Sequence, residues 1–239
     1  MSLSENIAAV RARITAAERE AGREPGSVTL VAATKTQSSQ TIRSAIAAGI
    51  TVCGENRVQE LTAHLEDLAY DGAAIHFIGH LQTNKVKYVV GRVDLIESVS
   101  SLKLMEAIEA QAAKLELVQE ILLEVNIAGE ESKSGFAPQE VLSAAQRAQE
   151  LPHLHLRGLM AIPPVSPCPG ASRPWFRQMR KLFIDIGNQL EHNRIDILSM
   201  GMSADYPDAV AEGATLVRVG TALFGPRDQA ASHQPGAAR

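Results

Sequence analysis

Cysteine is nearly absent from these 239 residues: Cys53 and Cys168 are the two, in unrelated contexts and at no metal-binding or redox spacing. That argues against a disulfide-stapled secreted domain or a thiolate metal centre, and it predicts a reducing, cytoplasmic compartment. No block of basic residues occurs and the formal net charge is -4, which excludes a nucleic-acid-coating role. Long apolar runs are missing too. The opening "MSLSENIAAVRARI" mixes acids and bases at helical spacing, as expected of neither a signal peptide nor a membrane span. G-x-G-x-x-G and P-loop motifs are absent, and no internal repeat is visible. What remains, 45% hydrophobic and 21% charged residues, is the composition of a soluble globular protein with enough chain for a sizeable core.

Leu3, Ile7, Val10, Ile14 and Ala17 recur at steps of four and three, predicting an N-terminal helix that closes near Gly22 and acts as a lid or flank. After it, eight short β-rich runs follow: "VTLVAAT", "ITVCGEN", "IHFIGH", "DLIESV", "QEILLEVN", "LHLRGLMA", "DILSMG" and "TLVRVG". Amphipathic stretches at 38–48, 56–69, 101–115, 138–150 and 172–191 separate them. The last carries Phe176, Met179, Phe183, Ile186 and Leu190 on one face behind Ser172 and Pro174. Regular alternation implies parallel strands with right-handed crossovers. Eight units predict an α/β fold, a single-domain (β/α)8 TIM barrel over residues 1–225 with an additional N-terminal helix. The Pro-rich piece at 162–174 is expected to be a mobile loop after the sixth strand, and 226–239 a disordered tail.

Working residues in such barrels stand at the carboxyl ends of the strands. Lys35 ends the apolar run "VTLVAAT", where carrying an ammonium out of water costs several kcal/mol unless something compensates. Two readings stand: a salt bridge at the strand's exit, or an amine used as a nucleophile toward a carbonyl. The other six lysines, among them Lys85, Lys87 and Lys133, sit in helix or loop contexts and read as surface charge. Strand two ends at Glu55 and Asn56, strand three at His80, Gln82 and Asn84, and strand five at Asn126. "SMGMS", with Ser199 and Ser203, ends strand seven, and "RVGT", with Arg218, Gly220 and Thr221, ends strand eight. Glycines there let amides approach a ligand, and hydroxyls beside helix starts favour phosphate, although the same residues also serve as plain turn chemistry. Lysine and phosphate cradle together point to a phosphorylated aldehyde held as an imine, the binding mode of pyridoxal phosphate. Around strand five, Glu124, Glu130, Glu131, Lys133 and Ser134 read equally as a solvated loop or as part of the pocket. His153 and His155 alternate along a strand with no third ligand at a matching spacing.

The motifs "VAATKTQ", "GENRVQE", "HFIGHLQTNK", "LEVNIAGEESKSGF", "GLMAI" and "LSMGMSADYPDAVAEGATLVRVGTALFG" together resemble the pyridoxal phosphate homeostasis protein family, related to the amino-terminal barrel of alanine racemase. The resemblance covers about residues 5–225. It implies an imine to Lys35, Ser203, Gly220 and Thr221 around the phosphate, and Arg218 facing the pyridine nitrogen. Asn56 and His80 would line the ring pocket, and Ser199 joins the cofactor-binding set. Departures from the usual pattern are small: Thr34 in place of serine, Gln37 and Ser38 in place of lysine-proline, and Cys53 where an aromatic is common.

A guanidinium at position 218 would donate to the ring nitrogen and leave it unprotonated, making the ring a poor electron sink; its plainer role is an ion pair closing the barrel rim. The resemblance therefore favours a carrier that holds the cofactor, limits free aldehyde and passes it to apo-enzymes, as a cytoplasmic monomer without efficient turnover. Two rivals remain. An amino-acid racemase would need a second acid/base group on the opposite face, where Tyr70, Tyr88 and Tyr206 have no evident claim, His80 is a weak substitute, and the chain ends soon after "TALFG". A barrel that lost its ligand and serves as an interaction partner is disfavoured by Lys35 and the phosphate loop.

Overall fold

A computed structural model of the chain describes residues 2–164, 168–190 and 194–226. The expected barrel is present. Its strands are β1 (Thr29–Ala33), β2 (Val52–Glu55), β3 (Ala74–Phe77), β4 (Leu95–Val99), β5 (Gln119–Val125), β6 (Leu154–Ala161), β7 (Ile197–Ser199) and β8 (Leu216–Val219). All pair in parallel and in chain order, and β8 closes the sheet on β1 with Thr29 opposite Leu216 and Val31 opposite Arg218.

The helices are α1 (Leu3–Glu20), α2 (Ser39–Ala47), α3 (Val58–Glu66), α4 (Leu102–Lys114), α5 (Val141–Gln149), α6 (Arg173–Gln189), α7 (Tyr206–Ala211) and α8 (Thr221–Phe224). Between β3 and β4 the crossover is a 3-10 helix, Thr83–Tyr88. In α6, Phe176, Met179 and Ile186 are buried and Pro174 lies in the first turn, as the apolar spacing requires. Ser172 does not cap that helix; its hydroxyl donates to Asp205 at 3.1 Å. The described part of the Pro-rich loop is anchored, since Asp208 accepts from the Gly170 amide (2.7 Å) and from Arg173 (2.8 Å). Residues 165–167 of that loop and 227–239 of the expected tail lie outside the described residues.

α1 begins with a capping box, Ser2 and Glu5 each satisfying the other's backbone amide. It buries Ile7, Val10, Ile14 and Ala17, each contributing on the order of 1–3 kcal/mol, against α7 and α8. It is a flank, tied to α8 by Asn6 donating to the Leu223 carbonyl at 2.8 Å. Near its end the fully buried Glu18 accepts from the amides of Gly26 (2.9 Å) and Val28 (2.8 Å). That carboxylate fixes where β1 begins, and so where its far end delivers Lys35.

The main core lies between sheet and helices. Inside the barrel, Val31, Val52 and Leu216 form one small apolar cluster and Leu95, Leu122 and Met160 another. His76, Glu97, Ser199 and Arg218 are buried among them. No helix among the described residues is long and apolar enough to cross a membrane.

Candidate functional site

β1 ends where Ala33 pairs with Gly54, and the chain leaves through a turn closed by the Gln37 amide donating to the Thr34 carbonyl at 2.9 Å. Thr36 sits in that turn at φ 64, a left-handed conformation that costs a β-branched residue about 1–2 kcal/mol. Three contacts hold it there. The Thr36 amide donates to Glu60 (3.0 Å), its hydroxyl to the Lys35 carbonyl (2.6 Å), and Thr34 behind it donates to the buried Glu55. The turn aims the half-buried Lys35 into the barrel mouth. Among the described residues no carboxylate lies within ion-pair distance of its ammonium group. The salt-bridge reading of that lysine therefore has no partner on the described chain.

The mouth is a cavity of about 360 Å³. Lys35, Asn56, Ser203, Arg218, Gly220 and Thr221 all line it. Asn56 is delivered by a close approach of two loops: a Cβ on Gly79 would stand 2.0 Å from the Asn56 carbonyl oxygen, so only glycine fits beside it. In the same cavity, the Ser203 hydroxyl accepts from the Gly220 and Ala222 amides, both at 3.2 Å. Those two bonds occupy its lone pairs and leave its proton free to donate into the cavity. Gly201, at φ +91, lets this turn pack on α7, where a Cβ would meet Ala209 at 2.5 Å. Since α8 is a single turn, its dipole is small, and the individual amides and hydroxyls are what would hold an anion here.

Asp205 also shapes the mouth. It is buried, lines the cavity and holds the 202–205 turn by accepting from the Met202 amide at 2.8 Å. Arg218 reaches the cavity from inside the barrel, donating to Ser199 and to the Ala161 carbonyl (2.9 Å). Burial lowers its pKa; Glu97, Glu124 and Asp205 oppose that shift. Glu97 stands 3.7 Å from the Arg218 guanidinium and is fully buried. Burial pushes the Glu97 carboxyl up, but the bond and charge of His76, the charge of Arg218 and the Ser199 bond outweigh it and hold the group below its ordinary range.

Two sequence-predicted residues stand elsewhere. Ser199 is fully buried inside the barrel, between Arg218 and Glu97, and does not line the cavity. His80 is exposed on the rim, bonded to Ser134 at 3.1 Å, because the chain turns outward after Ile78, and Ile78 takes the place at the cavity wall. Asn126 serves its own loop, donating to the Glu130 carbonyl at 2.8 Å. Glu124, Lys133 and Ser134 line a smaller side cavity of about 140 Å³, where burial raises the Glu124 carboxyl against the pull of Arg218 and His80. His153 pairs with Glu109 (2.8 Å) and His155 with Glu120 (3.4 Å). Glu97 is the group that sequence reasoning missed; its signal was a carboxylate in the middle of the short strand run "DLIESV".

The family described as "Alanine racemase, N-terminal domain" matches residues 5–228. The pyridoxal phosphate homeostasis protein of Aquifex aeolicus is 43% identical over 228 residues, covering 95% of this chain and 99% of that protein. PipY of Synechococcus elongatus, a structure with PLP bound, superposes with a TM-score of 0.81 at 34% identity, covering 94% of this chain and 100% of PipY. The alanine racemase of Streptomyces coelicolor shares the fold, with a TM-score of 0.70 at 21% identity over 91% of this chain and 58% of the racemase.

Proposed function

The chain belongs to the pyridoxal phosphate homeostasis protein family, built on the alanine racemase N-terminal barrel, and from that membership we propose that it binds pyridoxal phosphate at the barrel mouth. Its role in this reading is to hold the cofactor, limit free aldehyde and supply apo-enzymes, acting as a monomer in the cytoplasm. The observation that carries the proposal is the Lys35 amine, lining a cavity with no ion-pair partner among the described residues, together with the Ser203 hydroxyl and its two amides in that same cavity.

The residues suit the group. The cavity volume falls within the roughly 300–1,000 Å³ of small-molecule sites. Bound there, the cofactor supplies an aldehyde that condenses with a primary amine. Lys35 is the amine placed to react. Ser203, Gly220 and Thr221 supply hydroxyl and amide donors for a phosphate, and Ala33, Ile78 and Ile162 give apolar walls for a ring. Asn56 adds a polar contact at the wall. Arg218 spends its two described hydrogen bonds on Ser199 and Ala161, so further N–H groups of its guanidinium are left to face a ring nitrogen and keep it unprotonated.

Racemisation is the competing activity, and the tyrosines argue against it. Tyr70 donates to Glu55 at 2.9 Å, Tyr88 lies outside the mouth beside Lys85, and Tyr206 is buried under Arg13. None lines the cavity as a second acid/base. Titration with pyridoxal phosphate tests the reading: the protein should gain a visible absorbance band and Lys35→Ala should not. Single-enantiomer alanine added to the loaded protein should keep its configuration. A colourless wild-type protein at saturation would overturn binding through the lysine, and rapid loss of optical purity would overturn the carrier role.

A further inference from the structure

Arg218 is the end of a hydrogen-bonded file that runs through the barrel interior. Its Nη1 donates to Ser199, the Ser199 hydroxyl donates to Glu97 Oε2 at 2.6 Å, and Glu97 Oε1 pairs with His76 Nδ1 at 2.7 Å. The direction of the file is set by chemistry. A guanidinium only donates, so Ser199 must accept from it, and the hydroxyl's single proton then has to go to the carboxylate. His76, for its part, presents a protonated Nδ1 to the other oxygen. Each member comes from a different strand, β3, β4, β7 and β8, and every one is nearly inaccessible to solvent.

We propose that Glu97, acting through Ser199, is the positioning residue that aims Arg218 at the ring nitrogen of the bound ligand and so sets the preference for a ring with an acceptor at that place. The inference rests on the reading that Arg218 faces that nitrogen. A long side chain such as arginine has many rotamers, and a donor contributes fully to recognition only when it is held beforehand. Two fixed acceptors, Ser199 Oγ and the Ala161 carbonyl, fork the guanidinium from two sides, and Glu97 holds one of them. The other charges near Arg218 do not do this work. Asp205 is engaged with Met202 and Ser172, and the Glu124 side chain is not within hydrogen-bond distance of the Arg218 guanidinium, whose bonds go to Ser199 and Ala161. Glu97 is also the counter-charge at 3.7 Å that makes an interior guanidinium tolerable.

A merely structural Glu97 would affect every ligand alike, so the test compares two. The apo-protein is titrated with pyridoxal phosphate and with its carbocyclic analogue, in which C–H replaces the ring nitrogen. Loss of a charge-assisted hydrogen bond predicts that the wild type prefers the natural ring by about tenfold or more. Glu97→Gln cannot accept from both Ser199 and His76, and Ser199→Ala cuts the link while leaving the carboxylate in place. In both variants the preference should fall severalfold toward parity, with affinity for the analogue changed less. If Glu97→Gln does not fold, Ser199→Ala decides. Equal weakening of both ligands, with the wild-type ratio kept, overturns the role of Glu97. A wild type that binds both rings equally overturns the assignment of Arg218 as well.

Discussion

Ser203→Ala isolates the anion-holding half of the site. The wild-type hydroxyl accepts from two amides at 3.2 Å and has one proton left for a ligand oxygen. A hydrogen bond to a charged oxygen contributes about 1.5–3 kcal/mol. Removing it also frees the Gly220 and Ala222 amides, both only partly buried, and either can turn to the phosphate and recover about 0.5–1.5 kcal/mol. The net loss is then about 1–2 kcal/mol, a roughly 5–30-fold weaker Kd for pyridoxal phosphate. Pyridoxal, which carries the same aldehyde and ring without the phosphate, should bind wild type and variant within about twofold of each other, since the deleted group never met it. Parallel titrations followed by absorbance give both constants. If the two ligands weaken equally, Ser203 supports the turn and not the phosphate, and the reasoning fails.

Three further outcomes follow from the geometry. Gly79→Ala forces a Cβ to within 2.0 Å of the Asn56 carbonyl, so the β2 and β3 loops must part; thermal unfolding should show a loss of about 2–4 kcal/mol, and cofactor affinity should fall with it. Glu18→Ala leaves the Gly26 and Val28 amides unpaired beneath α1 and should cost about 2–4 kcal/mol in denaturant titration, with the free protein affected as much as the loaded one. Acid should act through Glu97. Its folded-state carboxyl lies below the ordinary 4.5, so the stability it gives is present above that pH and is lost as pH falls through the lower folded value. Unfolding free energy of the wild type should therefore drop below about pH 4.5, and Glu97→Gln should flatten that limb. Burial raises the Glu124 carboxyl, so its contribution runs the other way, falling as pH rises from the ordinary 4.5 toward the higher folded value.

Local pattern carried most of this architecture. Each apolar run bounded by glycine or a polar turn became a strand within three residues of its expected span, because a strand buried on both faces needs a continuous β-rich run. "VTLVAAT" brings Lys35 to the cavity for a simple reason: once the strand begins at Thr29, alternation sends 31, 33 and 35 inward. Where the structure places a residue away from the expected cavity, a distant partner decides its position. His80 was expected at the ring pocket, yet the outward turn after Ile78 and the Ser134 hydroxyl from the β5 loop take it to the rim. Ser199 was placed at the strand end where a ligand would sit, while barrel closure sets it beside Glu97, 102 positions earlier in the chain. A buried carboxylate of that kind is legible only with its partners assembled, since nothing local to "DLIESV" shows that histidine, serine and arginine will converge on it.

The most direct measurement is chemical. Borohydride reduction of the protein loaded with pyridoxal phosphate, followed by proteolysis and mass spectrometry, should find a single pyridoxyl group on the peptide carrying Lys35, and none in Lys35→Ala. A label spread over surface lysines such as Lys85 and Lys87, or one that persists undiminished in Lys35→Ala, would contradict the account.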